Sequence, residues 1–145
     1  MIDPKDFFTD EQKLKVENAI REAELNTSGE IRVHLDKNCK IEVLDCAANI
    51  FEKLKMHKTE LRNGVLFYLS INTRKFAILG DVGINTKVPD NFWDEIRKEV
   101  LILFKKDKFA EGLEKGILMA GDKLKEQFPY QSDDVNELSD EISMG

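Results

Sequence analysis

A continuous apolar run at residues 65–71 constrains the fold more than any other part of the chain. Its side chains are apolar on both faces of an extended segment, and a strand of this kind is covered on both sides. A polar turn at residues 72–74 and a second apolar segment at residues 76–79 follow. We therefore predict a central β-hairpin around which the helices of the chain are wrapped.

The residues before the hairpin predict a helix, a strand and a second helix. Thr9 and Gln12 have the spacing of a capping box, so we expect the first helix to begin there. Residues 30–36 alternate between polar and apolar, which indicates a strand with its odd-numbered residues in the core. The second helix is marked by apolar residues at helical spacing, namely Val43, Cys46, Ala47, Ile50, Phe51 and Leu54. A strand–helix–strand unit joins parallel strands, so the hairpin makes the third strand antiparallel.

Two further helices are predicted after Pro89. Asp90 or Asn91 is the expected N-cap of the third helix, which we take to run through residue 103. The fourth helix is expected to end before residue 129. Its glycines, Gly112, Gly116 and Gly121, weaken the helix intrinsically but allow close packing against a neighbour.

The length and the charge distribution predict one domain with a tail. A chain of 145 residues is a usual size for one domain, which we place at residues 1–129. Residues 130–145 contain no Lys or Arg and carry five negative charges of the net −6, on Asp133, Asp134, Glu137, Asp140 and Glu141. We expect this acidic tail to be mobile. The rest of the chain is nearly neutral, so we expect no nucleic-acid partner.

The sequence also bears on the location of the protein and on its cysteine and histidine residues. No stretch approaches the roughly 18 apolar residues that span a bilayer, and the N-terminus lacks the pattern of a signal peptide. We therefore predict a cytoplasmic protein without a membrane anchor. Cys39 and Cys46 do not form a C-x-x-C pair, and we expect buried or inert thiols. His34 is a candidate ligand or base, although a solvated histidine on the polar face of the first strand is the favoured interpretation.

The predicted strand directions bring three loops to one edge of the sheet. These loops are residues 27–30, 61–64 and 80–85, and the start of the third helix is expected nearby. Their oxygen-bearing side chains suit a hard cation, Ca²⁺ or Mg²⁺, better than zinc or copper. The candidate metal ligands are Glu30, Asp81, Asp90 and Asp94, and the supporting loop residues are Arg62, Asn63, Gly80, Gly83 and Asn85.

A structural role for the same residues is the alternative. Carboxylates about 4 Å apart repel by roughly 1 to 4 kcal/mol near a protein surface, and Arg62 could supply the counter-charge. Glu30, Asp81 and Asp90 would then be loop, turn and cap residues. Motifs for other chemistry are absent from the sequence: there is no glycine-rich nucleotide loop and no nucleophile elbow. No serine has an evident histidine partner, whether Ser70, Ser132, Ser139 or Ser143.

The order of several short motifs resembles the TPM domain family over roughly residues 9–129. The motifs are residues 27–31 (Thr-Ser-Gly-Glu-Ile), residues 63–66 (Asn-Gly-Val-Leu), Arg74, Gly80 with Gly83 and Ile84, Asp90, and Phe104 with Phe109, Gly112 and Leu113. The resemblance implies an α/β/α sandwich with a small mixed sheet flanked by about four helices. It also implies divalent-cation binding, usually of Ca²⁺, at the loop edge. Asp81 stands where many relatives have a different turn, so the ligand set can differ.

Two functions follow from the resemblance and the loop edge. The first is a stand-alone domain that binds Ca²⁺ or Mg²⁺ and acts through a protein partner. The second is a metal-dependent phosphatase, an activity attributed to plant relatives, with Glu30 or Asp81 as the available bases. A further hypothesis is that the acidic tail docks the partner.

Overall fold

A computed structural model describes residues 1–131 and 136–145 of the chain. The described elements, in chain order, are α1 (Pro4–Phe7), α2 (Asp10–Ala23), β1 (Glu30–Asp36), α3 (Val43–Lys53), β2 (Gly64–Ser70), β3 (Lys75–Gly80), α4 (Val82–Asn85), α5 (Asp94–Phe104), α6 (Phe109–Leu124) and β4 (Ser143–Met144). The predicted capping box of α2 is present, since Thr9 Oγ1 accepts from the Gln12 amide and Gln12 Oε1 accepts from the Thr9 amide.

The four strands form one mixed sheet in the order β3-β2-β1-β4. β1 and β2 are parallel, with Glu30 opposite Gly64, and β2 and β3 are antiparallel, with Val65 opposite Gly80. The predicted hairpin and strand directions are therefore confirmed. β4 adds a short parallel strand to the outer edge of β1.

Helices cover both faces of the sheet, which makes the predicted α/β/α sandwich. The larger core joins one sheet face to α2, α5 and α6. The smaller core lies between the opposite face and α3, and includes Leu66 and Tyr68. The predicted close packing at the glycines of α6 is confirmed, because a Cβ at Gly121 would lie 2.7 Å from that of Ala23.

The helix that follows Pro89 begins later than predicted. Its N-cap is Trp93, whose side chain makes no capping hydrogen bond, so neither Asp90 nor Asn91 caps it. Residues 89–94 instead form turns in which the amides of Phe92 and Asp94 donate to the carbonyls of Pro89 and Asn91. Asp90 and Asn91 are residue types that often cap helices, but main-chain hydrogen bonds hold the turns at residues 89–94 instead.

The C-terminal residues return to the sheet. Residues 136–145, which we call the C-terminal segment, place Leu138 against the smaller core and Ile142 against the larger one. The structure therefore positions this part of the predicted tail on the domain, while its mobility in solution stays a prediction. Asp133, Asp134 and Ser132 lie outside the described residues.

The prediction of free thiols was wrong. Cys39 and Cys46 form a disulfide with their Cα atoms 6.3 Å apart, and it joins the loop after β1 to the first turn of α3. Their spacing of seven residues did not reveal that this loop folds back on the helix. Among the described residues, no helix combines the length and the apolar character needed to cross a membrane.

Candidate functional site

Main-chain and amide hydrogen bonds join the three predicted loops at one edge of the sheet. The Glu30 amide donates to the carbonyl of Asn63 at 3.2 Å, and the Asp81 amide donates to that of Gly64 at 2.9 Å. Asn63, which is buried, donates from Nδ2 to the carbonyl of Ser28 at 3.1 Å. The predicted convergence of the loops is therefore present in the structure.

The four predicted ligands nevertheless occupy different places along this edge. Strand β2 separates Glu30 from Asp81, which puts their Cα atoms about 10 Å apart. The two carboxylates line separate clefts, and Leu138 packs beside Gly64 between them. Asp90 and Asp94 are exposed to solvent. Within residues 1–131 and 136–145, no three His, Cys, Asp or Glu side chains meet closely enough to hold a metal ion. Cation binding by these four residues stays a prediction.

The Asp81 carboxylate is fully engaged within the protein. Its two oxygens accept hydrogen bonds from Nε and Nη2 of Arg62 at 2.8 and 2.9 Å, and it also caps α4 through the Val82 amide at 2.8 Å. This contact raises the pKa of the Arg62 guanidinium. Arg62 thus supplies the counter-charge that the alternative interpretation expects at Asp81.

The backbone around this pair is closely packed. Arg62 has a φ of 51°, in the left-handed region that residues other than glycine rarely adopt. A Cβ at Gly83 would lie 2.2 Å from the carbonyl oxygen of Leu61, so only glycine fits there. Asn85 donates from Nδ2 to the carbonyl of Gly80 at 2.9 Å. The predicted supporting residues thus fix the shape of the loop.

Glu30 belongs to a second cleft, of about 170 Å³, which we call the acidic cleft. Its carboxylic residues are Glu24 from the end of α2, Glu30 from β1 and Asp140 from the C-terminal segment. Burial raises the pKa of Glu30 to about 7, even though its Oε1 accepts hydrogen bonds from the Leu138 amide at 2.8 Å and from the Glu137 amide. The cleft therefore holds a carboxyl group that titrates near neutral pH.

Glu24 is the most strongly perturbed carboxyl group of the acidic cleft. Burial, followed by a side-chain interaction with Asp140, raises its pKa to about 9. Its Oε2 accepts from the Ile31 amide at 3.1 Å. Arg21 Nε lies 4.0 Å from Asp140 Oδ2, and the side chain of Arg21 is half-exposed. At neutral pH, this raised pKa favours the protonated form of Glu24.

Sequence reasoning missed both Glu24 and Asp140. Glu24 follows the apolar stripe of α2. The loop at residues 27–29 is short, which indicates that Glu24 lies close to Glu30 at the start of β1. Asp140 carried no such signal, because the segment that holds it is brought to the cleft by contacts with β1, more than 100 residues earlier in the chain.

His34 is buried, so the prediction of a solvated histidine was wrong. Its side chain is 4% exposed, and Nδ1 lies 2.9 Å from Ser143 Oγ, so Ser143 does have a histidine partner. Nε2 is 3.6 Å from Asp36 Oδ1, and Tyr68 donates to Asp36 Oδ2 at 2.7 Å. Burial lowers the pKa of His34, which favours the neutral imidazole.

This cluster contains the residue types of a nucleophilic triad, but it is covered. The backbone of Gly145 lies over it, so that a Cβ there would be 3.2 Å from His34 Nε2 and in contact with Asp36. We therefore assign the cluster to holding β4 on β1.

Comparisons with known proteins agree with this architecture. The family model of the TPM domain matches residues 1–123. The solution structure of protein BA42 from the psychrophilic bacterium Bizionia argentinensis is 47% identical in sequence, with 97% of each chain covered and a TM-score of 0.92. The N-terminal domain of a P. gingivalis protein shares the fold at 18% identity, with a TM-score of 0.69 and coverage of 85% of this chain and 80% of that one. No curated protein matches the chain. The chain belongs to the TPM domain family.

Proposed function

We propose that this TPM domain binds a divalent cation, Ca²⁺ or Mg²⁺, in the acidic cleft and acts through a protein partner. The observation that carries the proposal is the crowding of Glu24, Glu30 and Asp140 around one cleft. Among the described residues that line it, only Arg21 is basic, and its guanidinium lies at the exposed mouth. A cation between the three carboxylates would offset the repulsion between their charges.

The chemistry of the cleft suits a hard cation. Its donors are carboxylate oxygens, joined by the hydroxyl or carbonyl oxygens of Thr27 and Ser28. Glu24, Glu30 and Asp140 would have to move closer together to form a coordination shell, because no three acidic side chains of the described residues meet at present. Of the ligands predicted from the sequence, only Glu30 belongs to this proposed site. Glu24 and Asp140 take the place of Asp81, Asp90 and Asp94.

Calorimetric titration with CaCl₂ and with MgCl₂ tests this proposal. We expect binding to the wild-type chain with Kd of roughly 0.1–1 mM, the range of weak calcium modules. Glu30→Gln and Asp140→Asn should each weaken binding at least tenfold. Asp122→Asn removes the same charge at an exposed site on α6 and should leave Kd unchanged. Absence of binding heat at millimolar cation would refute the proposal, and loss of binding in Asp81→Asn but not in Glu30→Gln would move the site to the other cleft.

The pH dependence of the affinity provides a second check. A cation requires ionised carboxylates, and the pKa values of Glu30 and Glu24 are about 7 and about 9. The affinity should therefore rise as the pH increases from 6 to 9. An affinity that is constant over this range would contradict binding at these two residues.

A metal-dependent phosphatase is the second candidate, and the pKa of Glu30 favours it. A carboxylate that titrates near 7 is suited to take a proton from an attacking water at neutral pH. A bound cation would polarise the phosphoryl oxygen. We expect cation-dependent turnover of a generic phosphoester that disappears in Glu30→Gln and persists in Asp122→Asn. Turnover that is unaffected by Glu30→Gln would come from a contaminant.

A further inference from the structure

Strand β3 has a free outer edge. It is the last strand of the sheet on the side opposite β4. The Asp81 amide, just after β3, donates to the carbonyl of Gly64 on β2, so alternate residues back along β3 turn their main-chain groups toward β2. The main-chain groups of Phe76 and Ile78 therefore face outward. Within residues 1–131 and 136–145, no hydrogen-bond partner reaches these groups. An edge of this kind can accept a further strand.

The edge is apolar on the side of α3. A cleft of about 430 Å³, which we call the α3 cleft, lies between α3 and the end of β3, and its apolar lining consists of Ala48, Phe51, Leu79 and Val82. Val82 is 51% exposed. The pair of Arg62 and Asp81 lines the rest of the cleft together with other polar residues. The apolar lining suits an aliphatic side chain, because contact removes apolar area of both partners from water.

On the opposite face of the sheet, α5 lies along β3. Trp93, at the start of α5, lies against Gly80, and the ring of Phe104, at its end, contacts the ring of Phe76. α6 packs against both α2 and α5, so α5 is the outermost helix of its layer, just as β3 is the outermost strand. The side of α5 that points away from α6 therefore borders the free edge.

This side of α5 is basic. It carries a groove of about 340 Å³, which we call the basic groove and which is lined by Asp94, Arg97, Lys98, Leu101, Ile102 and Lys105. The other side of the helix uses Glu95 and Glu99 in ion pairs with α6, whereas no described residue forms an ion pair with Arg97, Lys98 or Lys105. Three positive charges against one negative charge attract an acidic segment. They also oppose pairing of two copies through β3, which would bring two basic grooves together.

A strand added antiparallel to β3 would direct its side chains alternately to these two surfaces. Residues opposite Phe76 and Ile78 point to the face that α5 covers, and residues opposite Ala77 and Leu79 point to the face that α3 covers. The basic groove would therefore receive every second side chain, and the α3 cleft would receive the side chains between them.

We propose that the outer edge of β3 binds a partner protein by strand addition, through an extended segment in which acidic residues alternate with aliphatic ones. The acidic side chains lie along the basic groove, and an aliphatic side chain enters the α3 cleft. The inference rests on the proposed action through a partner but not on the cation site, because strand β2 lies between β3 and the strand that carries Glu30.

Peptide binding to the full-length chain tests this proposal. The probe is a nine-residue peptide in which glutamate and valine alternate, with glutamate at both ends. One control peptide has lysine in place of glutamate, and the other has proline in place of valine, which keeps the charge but removes alternate amide donors and prevents a regular strand. Excess chelator is present throughout, so a positive result stands even if calorimetry detects no cation binding. Hydrogen exchange of the Phe76 and Ile78 amides reports strand addition, and the Ala77 and Leu79 amides, which face β2, are internal controls.

We expect the glutamate–valine peptide to bind at least tenfold more tightly than either control peptide. It should slow hydrogen exchange of the Phe76 and Ile78 amides at least tenfold, with little change at Ala77 and Leu79. The double variant Arg97→Glu/Lys105→Glu should bind the peptide at least tenfold more weakly than the wild-type chain. Lys15→Glu, at an exposed position on α2, is the control and should leave the affinity unchanged.

Absence of peptide binding would overturn the proposal, and the basic groove would then serve only to keep strand edges apart. Equal binding of the proline peptide or of a single-stranded oligonucleotide, without protection of Phe76 and Ile78, would also overturn it, because charge alone would account for the affinity. Protection confined to residues 143–145 would place the peptide at the other edge of the sheet. A dimer of the free chain in analytical ultracentrifugation, with the Phe76 and Ile78 amides already protected, would assign the edge to a second copy and contradict the proposal.

Discussion

The two faces of strand β1 are built on different principles. The residues at odd positions, Ile31, Val33 and Leu35, are fully buried in the larger core with α2, α5 and α6. The residues at even positions are Glu30, Arg32, His34 and Asp36, and they lie on the face that α3 and the C-terminal segment cover. One face is stabilised by apolar packing and the other by hydrogen bonds between charged and polar groups.

This difference separates what holds the fold together from what gives the domain its chemistry. Apolar burial stabilises roughly in proportion to the area that is removed from water. Buried carboxyl groups and a buried histidine cost free energy unless they are paired, so their presence in one region is typical of functional sites. The polar face contains Glu30 and His34, whose pKa values are shifted by burial, and the acidic cleft forms where Glu30 meets Glu24 at the end of α2.

The largest effect is expected from a truncation on the apolar face. Phe67 is fully buried in the larger core, so Phe67→Ala should lower the free energy of unfolding by about 3–5 kcal/mol. Chemical denaturation measures this loss. Leu44→Ala, at an exposed position on α3, is the control and should cost less than about 0.5 kcal/mol. A loss below about 1 kcal/mol for Phe67→Ala would show that the two faces do not differ in this way.

Reduction of the disulfide tests the layer that covers the other face. Cys39 and Cys46 close a short loop that fixes the start of α3, and loss of such a cross-link should cost about 2–3 kcal/mol. A reductant should lower the melting temperature of the wild-type chain and have no effect on the double variant Cys39→Ala/Cys46→Ala. Thiol titration of the denatured protein without reductant should find no free cysteine; two free thiols would show that the bond is absent. Disulfides are uncommon in cytosolic proteins, so this titration also bears on the predicted cytoplasmic location.

Loss of a single hydrogen bond on the polar face should lower the free energy of unfolding by less than the two changes above. Tyr68→Phe removes the donor to Asp36 Oδ2 and should cost about 1–2 kcal/mol. Tyr130→Phe is the matched control, because Tyr130 is 45% exposed, and it should be nearly neutral. Burial and the hydrogen bond to Asp36 raise the pKa of Tyr68, so spectrophotometric titration should show a tyrosine that ionises above the ordinary range, and Tyr68→Phe should remove that component. A titration curve without a raised component would contradict this contact.

The carboxyl groups of the acidic cleft should make the free energy of unfolding depend on pH. The pKa of Glu24 is about 9 in the folded protein against 4.5 ordinarily, so its protonated form is favoured by folding. The free energy of unfolding should therefore fall as the pH rises from about 4.5 to about 9, and Glu30 should add to this slope up to about 7. Glu24→Gln should flatten the profile, whereas Glu22→Gln, which alters an exposed neighbour on α2, should not. Parallel profiles for wild type and Glu24→Gln would contradict the assignment.

The apolar face could be predicted from the sequence because its determinants are local. The alternation in β1, the continuous apolar run of β2 and the helical spacing of residues such as Val16 and Val100 each specify an element and its buried side. Strand directions then followed from the connections, since a helix joins β1 to β2 and a short turn joins β2 to β3. The shared edge of the three loops was therefore predictable.

The polar face could not be predicted, because its covering comes from a distant part of the chain. Alternation placed His34 on the side opposite the core, but Ser143, which buries it, lies 109 residues later. The sequence of residues 130–145 is acidic and poor in apolar residues, which is typical of a mobile tail rather than of a strand. Asp140 was missed for this reason, whereas Glu24 was missed although the short loop at residues 27–29 brings it close to Glu30. Cation binding at Asp81, whose partner in the structure is Arg62, stays a prediction.

Amide chemical-shift mapping during a titration with CaCl₂ tests most directly whether the polar face is the functional one. We predict that the largest shifts occur at Glu24, in residues 27–31 and in residues 136–140, while residues 81–85 and 90–94 stay within experimental error. The same residues should return to their original positions when a chelator is added. Shifts centred on Asp81 and Asp90, or no saturable shifts at millimolar Ca²⁺, would contradict a cation site in the acidic cleft.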